Sequence, residues 1–286
     1  MSKNVQLSFE FFPPKTQDLE GKMWDSITQL ALLRPLFVSV TYGAGGTTRD
    51  YTHQIAKGIL AKTDMKVAAH LTCVGATRDE VDNVARDHWN AGIHHIVALR
   101  GDPPKGTINY VPHEHGYAHA TDLLRGLKKI GNFEISVAAF PEKHPESKSL
   151  EQDIEVLKAK DELGATRAIT QYFFDNKFFL RLRDNAAKAG IKMPIVPGMI
   201  PIGHFSQLKR FSAMCGTSIP DAIVQKFDPL DDDHAARDKA AIELATEQCA
   251  GLIAEGIDKF HFYTMNRSDL ITAVCKNLGI APNSAV

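Results

Sequence analysis

The run VQLSFEFFPPK, residues 5–15, is apolar, rich in β-forming residues, and ends in two prolines rather than in glycines. Seven further runs of this kind follow it: LFVSVTYG (36–43), KVAAHLTCV (66–74), HHIVALRG (94–101), EISVAAFP (134–141), TRAITQYFF (166–174), MPIVPGMI (193–200) and KFHFYTMN (259–266). Most of them are almost continuously hydrophobic, which is typical of parallel strands covered on both faces.

Helical patterns fill the intervals between these runs. Residues 77–92 open with a Thr77–Glu80 capping box and end at Gly92, and residues 147–165 carry apolar residues at helical spacing and end at Gly164. Eight strand–helix repeats in 286 residues predict a (β/α)8 TIM barrel, with residues 1–286 as a single domain. A doubly wound open sheet is the alternative, but it usually has fewer strands and a glycine fingerprint after the first one.

The composition excludes several classes of function. The 33 basic and 34 acidic residues nearly cancel, so we expect no nucleic-acid and no membrane partner. The chain has no apolar run near the ~18 residues of a spanning helix and no signal peptide at its start. Its four cysteines are scattered, as expected of reduced thiols, so we expect a cytoplasmic protein: Cys73, Cys215, Cys249 and Cys275.

In a TIM barrel the active site lies at the C-terminal ends of the strands. The polar and aromatic residues predicted there are Glu10, Thr41, Tyr42, His70, Thr72, Arg100, Asp102, Phe140, His144, Gln171 and Tyr263. This mixture of carboxylates, imidazoles, an arginine and aromatic rings indicates a site for a large polar ligand with planar rings.

Glu10 lies among three phenylalanines, and period-2 alternation places it on the same face as Ser8 and Phe12. Desolvation beside Phe12 would raise its pKa and suit it to act as a general acid. The alternative is a structural glutamate paired with an arginine or a backbone amide. The spacing alone does not decide between them.

The other motifs each have a functional and a structural interpretation. Arg100 and Asp102 either bind an anionic ligand or form a salt-bridged strand end, and residues 41–50 form either an anion site or an ordinary βα loop. His144, between two prolines, either contacts a ligand phosphate or lies in a surface turn. The histidines of residues 113–119 match no zinc-site spacing, so we expect no metal. Residues 228–234 are expected to form a solvated acidic turn.

Taken together, FEFFPPK, FVSVTYGAGG, AAHLTC, HIVALRGDPP, EKHPE, RAITQYFFD, PIVPGMIPI and FHFYTMNR resemble the bacterial 5,10-methylenetetrahydrofolate reductases, in order and over essentially the whole chain. The resemblance implies a barrel that binds FAD noncovalently and has no Rossmann domain. It also implies a ping-pong reaction in which NAD(P)H, usually NADH in bacteria, reduces FAD, which then reduces methylenetetrahydrofolate to 5-methyltetrahydrofolate.

The same resemblance assigns roles to residues. Glu10 matches the general acid that protonates N10 of the folate, and Asp102 matches an aspartate that tunes the flavin and folate binding. The cofactor contacts it implies are Thr41, Tyr42, Ala44, His70, Leu99, Arg100, Gly101, Asp102, Ala120, Phe140, His144, Asp153, Lys160 and Tyr263. The substrate contacts it implies are Gln171, Gln207, Phe211 and Arg267, with Gln171 and Phe211 shared with NADH.

The chain departs from the family pattern at three positions. Phe140 replaces a common tyrosine, and Val156 and Ala159 replace polar residues that contact the cofactor in some relatives, so we expect looser binding of FAD. The resemblance further implies a homo-oligomer, a dimer or tetramer, without a regulatory domain. Two alternatives stay open, namely another barrel flavoprotein that does not bind folate and a catalytically silent barrel acting as a partner subunit.

Overall fold

A computed structural model of the chain describes residues 5–14, 16–42, 49–102 and 110–280. The strands in these ranges are β1 (Gln6–Phe11), β2 (Phe37–Val40), β3 (Val67–Thr72), β4 (His95–Leu99), β5 (Glu134–Ala139), β6 (Arg167–Thr170), β7 (Ile195–Val196), β8 (Gly198–Met199) and β9 (Lys259–Tyr263). The α-helices are α1 (Gln17–Ala31), α2 (Arg49–Lys62), α3 (Arg78–Asn90), α4 (Ala120–Ile130), α5 (Leu150–Glu162), α6 (Asn176–Lys188), α7 (Phe205–Cys215), α8 (Asp221–Phe227), α9 (His234–Ala254) and α10 (Ser268–Asn277).

The strands form one parallel sheet in the order β7-β6-β5-β4-β3-β2-β1-β9-β8. Only Pro197 separates β7, which pairs with β6, from β8, which pairs with β9. The carbonyl of Pro197 accepts a 3.0 Å hydrogen bond from His261 N. Segment 195–199 therefore occupies one position of the barrel and closes it, and the prediction of a single-domain (β/α)8 barrel is confirmed.

Along each strand, side chains alternate between the barrel interior and the layer between the strands and the helices. In β1, Phe9 and Phe11 are fully buried in the main hydrophobic core, which is shared with the helices. Ser8 and Glu10 alternate with them and reach partners on other strands across the interior. The barrel interior has its own small apolar cluster, built around Phe37 and Val97. The interior is thus partly polar, and most of the hydrophobic core lies between the strands and the helices.

The helix ends follow the sequence signals. Thr77 and Glu80 form the predicted capping box of α3, with Glu80 N donating to Thr77 Oγ1 over 3.2 Å. Ser149 caps α5, which ends two residues before Gly164. Gly164 has φ +82°, a left-handed conformation that glycine adopts without the steric cost of a side chain.

The chain between β8 and β9 carries more helix than one barrel repeat needs. Helices α7, α8 and α9, with a short 3-10 helix at Asp228–Leu230, enclose a second hydrophobic cluster that includes Tyr172 and Phe205. The expectation of a solvated acidic turn at residues 228–234 is wrong in part, because the Asp231 carboxylate accepts from Phe205 N over 2.9 Å and so caps α7. None of the described helices is long and apolar enough to cross a membrane.

A histidine pair between α2 and α3, one ring of which is buried, is expected to make the fold sensitive to acid. His88 is fully buried, and its Nδ1 lies 3.0 Å from Nδ1 of His53. Burial, and then the proximity of His53, lower the pKa of His88 to about 4. Because the unfolded chain binds the proton more tightly than the folded one, folding stability is lost as the pH falls from about 6.5 to about 4.

We therefore expect His88→Gln to remove up to about 3 kcal/mol of the stability loss between pH 7 and pH 4. Urea denaturation measures the free energy of unfolding at both pH values. The difference between the two pH values is taken within each protein, so that any repacking cost of the substitution cancels. The control is His94→Gln, at an exposed histidine just before β4. An unchanged pH difference in His88→Gln would show that this pair does not cause the acid sensitivity.

Candidate active site

Glu10 is fixed at the C-terminal end of β1 by its backbone and its side chain. Its carbonyl accepts hydrogen bonds from Thr264 N, over 3.1 Å, and Thr264 Oγ1, over 2.6 Å. Its carboxyl group points into the barrel and is 6% exposed. Phe12, the predicted neighbour of the carboxyl, instead uses its backbone to bond the Asn266 side chain.

Two imidazoles surround the Glu10 carboxylate. Oε2 lies 3.1 Å from Nε2 of His70 and 3.5 Å from Nε2 of His261, and it accepts from Ser39 Oγ over 3.5 Å. Burial alone would raise the pKa of Glu10, but the charge of His70 and the hydrogen bonds from both imidazoles lower it to about 2. The prediction that desolvation beside Phe12 raises the pKa of Glu10 is therefore wrong, because the two imidazoles outweigh the effect of burial.

The two ring nitrogens of His261 face Ser8 and Glu10. Its Nδ1 lies 2.8 Å from Ser8 Oγ, while the other acceptor near that hydroxyl, the carbonyl of Phe260, is 3.3 Å away. A proton donated by Ser8 to Nδ1 leaves the ring proton on Nε2, facing Glu10. Burial lowers the pKa of His261, although Glu10 opposes this effect. The arrangement favours a neutral imidazole whose Nε2 faces the carboxylate.

Phe37 separates this network from a second one deeper in the barrel. Its ring stacks on His261 at 5.8 Å between centroids and lies 4.5 Å from the ring of His95. Beyond it, Arg167 approaches His95 at 3.1 Å and forms an ion pair with Glu134. Burial, and then the charge of Arg167, hold the pKa of His95 well below its usual range.

Arg100 lies directly after β4, and its guanidinium contacts Glu146, Gly101 and Tyr110. Its Nη1 and Nη2 donate to the two oxygens of Glu146 over 2.5 and 2.9 Å, and its Nε donates to the carbonyl of Gly101 over 3.2 Å. The guanidinium lies 4.2 Å from the centre of the Tyr110 ring. The salt-bridged strand end, one of the two interpretations of this motif, is therefore present, but its partner is Glu146. Asp102 is exposed.

The predicted residues after β5 and on α5 form a connected group. The ring of Phe140 meets that of His144 edge to face at 4.6 Å, and His144 N donates to the Asp153 carboxylate over 2.9 Å. Lys160 is buried, donates to the carbonyl of Ala138 over 2.8 Å, and has a pKa lowered by burial to about 8. Phe140 and Asp153 also line one shallow cleft.

A second shallow cleft joins Phe140 to Gln171 and to Cys215 at the end of α7. Burial, and then the charge of Asp102, raise the pKa of the Cys215 thiol, so Asp102 acts electrostatically on this side of the mouth. Tyr263 closes the group from β9, donating to the carbonyl of Thr170 over 2.7 Å.

The remaining predicted residues are placed as follows. Gln207 and Phe211 lie one helical turn apart on α7, where Phe211 is exposed, and the Arg267 guanidinium is paired with Asp238 and Asp269 over 2.6 Å each. The others are Thr41 and Tyr42 directly after β2, Leu99 at the end of β4, Ala120 at the start of α4, and Val156 and Ala159 on α5. Ala44 lies outside the described residues.

Sequence reasoning missed three residues that shape this site, namely Ser8, His261 and Glu146. The alternation of β9 could have revealed His261, since it is two residues from Tyr263 and so shares its inward face. The partnership between Glu146 and Arg100 had no local signal, because 46 positions separate the two residues. Among the described residues, no group of three or more histidine, cysteine or acidic side chains could hold a metal ion.

Comparisons with known proteins identify the family of this chain. The family model for methylenetetrahydrofolate reductase matches residues 1–279. The chain belongs to this family. The 5,10-methylenetetrahydrofolate reductase of Escherichia coli K12 is 48% identical over 278 residues, which cover 97% of this chain and 92% of the relative. That of Pectobacterium carotovorum is 46% identical over 283 residues, covering 98% and 92%.

The reductase also has structural neighbours that share its fold at low identity. An uncharacterized protein from Clostridium thermocellum, which binds two copies of 5-methyl-5,6,7,8-tetrahydrofolic acid, superposes with a TM-score of 0.62 at 14% identity, covering 99% of this chain and 96% of that one. Family membership makes the protein an oxidoreductase of folate metabolism, and it confirms the family expected from the sequence motifs.

We expect His261→Gln to raise the pKa of Glu10, because the variant loses a ring donor and its potential positive charge beside the carboxylate. The measurement is a ¹³C NMR titration of the glutamate carboxyl groups, with Glu10→Gln assigning the signal. His95→Gln is the matched control, since this histidine flanks Phe37 on the opposite side. A Glu10 pKa that moves equally in both variants would contradict a specific role for His261.

Proposed function

We propose that this reductase converts 5,10-methylenetetrahydrofolate to 5-methyltetrahydrofolate with NAD(P)H and FAD, in two half-reactions that use the same site in turn. The observation that carries the proposal is the buried carboxylate of Glu10, in contact with two imidazoles at the mouth of a barrel of this family. A relative from Arabidopsis thaliana named for NADH is 35% identical over 290 residues, which favours NADH as the reductant.

The residues at the mouth fit a flavin nucleotide. Arg100, His144 and Lys160 supply basic groups along β4, β5 and α5 that suit phosphate groups. Thr72 Oγ1, at the end of β3, is buried and has no hydrogen-bond partner among the described residues, so it is available to a bound group. FAD, when bound, would accept hydride from NAD(P)H and return it to the bridging carbon of the folate.

Glu10 would supply the proton for opening the five-membered ring of the folate. N10 takes this proton as its bond to the bridging carbon breaks and keeps the electron pair of that bond. Because the carboxyl of Glu10 has a low pKa, it would first draw the proton from the imidazolium form of His70, the contacting ring whose charge lowers that pKa. A bound ligand that excludes water would favour this transfer, since desolvation penalises a carboxylate–imidazolium pair more than its neutral form.

Glu10→Gln should lower the rate of the folate half-reaction by at least about 100-fold, because an amide cannot donate the proton that N10 requires. Reduction of the bound flavin by NADH should stay within several-fold of wild type. Stopped-flow absorbance of the flavin measures each half-reaction separately.

Glu134→Gln is the control for this experiment, since it removes an inward carboxylate at the opposite end of the barrel. Equal losses in both half-reactions of Glu10→Gln would defeat the assigned role of Glu10. A wild-type protein that oxidises NADH but never turns over methylenetetrahydrofolate would instead favour a barrel flavoprotein with another substrate.

Asp102→Asn should raise the midpoint potential of the flavin and change folate turnover, because it removes a negative charge from the mouth. Cofactor content should stay the same, since the side chain of Asp102 is exposed and the proposed phosphate contacts are other residues. Spectroelectrochemistry and the flavin-to-protein ratio measure the two quantities. An unchanged potential together with unchanged folate kinetics would refute this role.

A further inference from the structure

Arg100 and Glu146 form an ion pair whose consequences go beyond the shape of the site. Arg100 is the arginine that the mouth offers to a phosphate group, yet two of its five N–H bonds already bind both oxygens of Glu146. Arginine binds carboxylates and phosphates with the same planar, two-pronged geometry. A carboxylate in this position therefore occupies the edge of the guanidinium that a phosphate would use.

The surroundings keep Arg100 in place and leave Glu146 free to move. The carbonyl of Arg100 accepts from Val74 N over 2.9 Å, and Tyr110 covers one face of the guanidinium. The side chain of Arg100 is 19% exposed, whereas that of Glu146 is 47% exposed. A half-exposed carboxylate regains water on leaving, which offsets part of the free energy lost when its two hydrogen bonds to Arg100 open.

The backbone of Glu146 is anchored independently of its carboxylate. Its N donates to His144 Nδ1 over 3.1 Å, and the neighbouring Ser147 bonds to Asp153. The hydrogen bonds from Arg100 lower the pKa of Glu146, so its carboxylate stays charged at neutral pH. Releasing the ion pair thus changes one side-chain rotamer and leaves the loop that holds His144 intact.

We propose that Glu146 is a competing anion, which holds Arg100 in the absence of a bound phosphate and sets the affinity and the rate with which FAD binds. This inference rests on the proposed function for the identity of the nucleotide. The phosphate takes over the guanidinium contacts as the Glu146 side chain turns to solvent. Part of the binding free energy of FAD is then used to displace the carboxylate of Glu146 from Arg100.

Glu146→Gln should tighten binding of FAD to the apoprotein by about 3- to 10-fold, mainly through faster association, because a neutral amide competes less well for Arg100 and repels phosphate less. Quenching of flavin fluorescence measures both the affinity and the association rate. Riboflavin, which lacks phosphate groups, should bind wild type and variant within about 2-fold. Glu247→Gln, the same charge change at an exposed position of α9, should leave FAD binding unaltered.

The double variant Arg100→Ala/Glu146→Gln should show no gain over Arg100→Ala, since the competition needs both partners. Weaker or unchanged FAD binding in Glu146→Gln would overturn the proposal, and so would an equal gain for riboflavin. Inorganic pyrophosphate, followed by calorimetry, separates this inference from the proposed function. If wild type binds no FAD, the proposed function fails, and tighter pyrophosphate binding by Glu146→Gln still decides whether Glu146 competes for Arg100.

Discussion

The contact of the Glu10 carboxylate with the imidazoles of His70 and His261 is the interaction on which the site depends. A buried carboxylate is costly unless it is paired, so the strands that carry these three residues must stay in register. β1 pairs directly with β9, whereas β3 lies beyond β2. The pairing of one charge with two rings therefore joins the first strand of the barrel to the last and to the third, and it fixes where the proposed proton donor points.

The fold could be predicted from the sequence because its signals are local. Apolar runs, the capping box at Thr77 and the glycine at position 164 each act within a few residues, and the structure follows them. The pKa of Glu10 could not be predicted in this way. The phenylalanines beside it in sequence face the helices, while the groups that set its charge lie 60 and 251 positions along the chain.

The candidate site shows the same division between local and distant information. Motifs placed Glu10, Arg100, His144 and Gln171 at strand ends, and the structure puts them there. What each side chain contacts depends on loops that fold back over the mouth. Glu146 reaches Arg100 from the loop after β5, and Asp238 on α9 pairs with Arg267 from 29 positions earlier in the chain. Such contacts are long-range, and residue type alone does not specify them.

The ring of Phe37 divides the barrel interior into two compartments. A phenyl ring neither donates nor accepts hydrogen bonds, and the described interior residues offer no hydrogen-bonded route around it from Arg167 to Glu10. Within the described part of the barrel, no chain of hydrogen-bonded side chains therefore leads along its axis from Arg167 to Glu10. In the proposed mechanism, each proton that Glu10 gives up would be replaced from the mouth, through the opening that would also admit the substrate. In that mechanism, the rate at which Glu10 is reprotonated would depend on the departure of product.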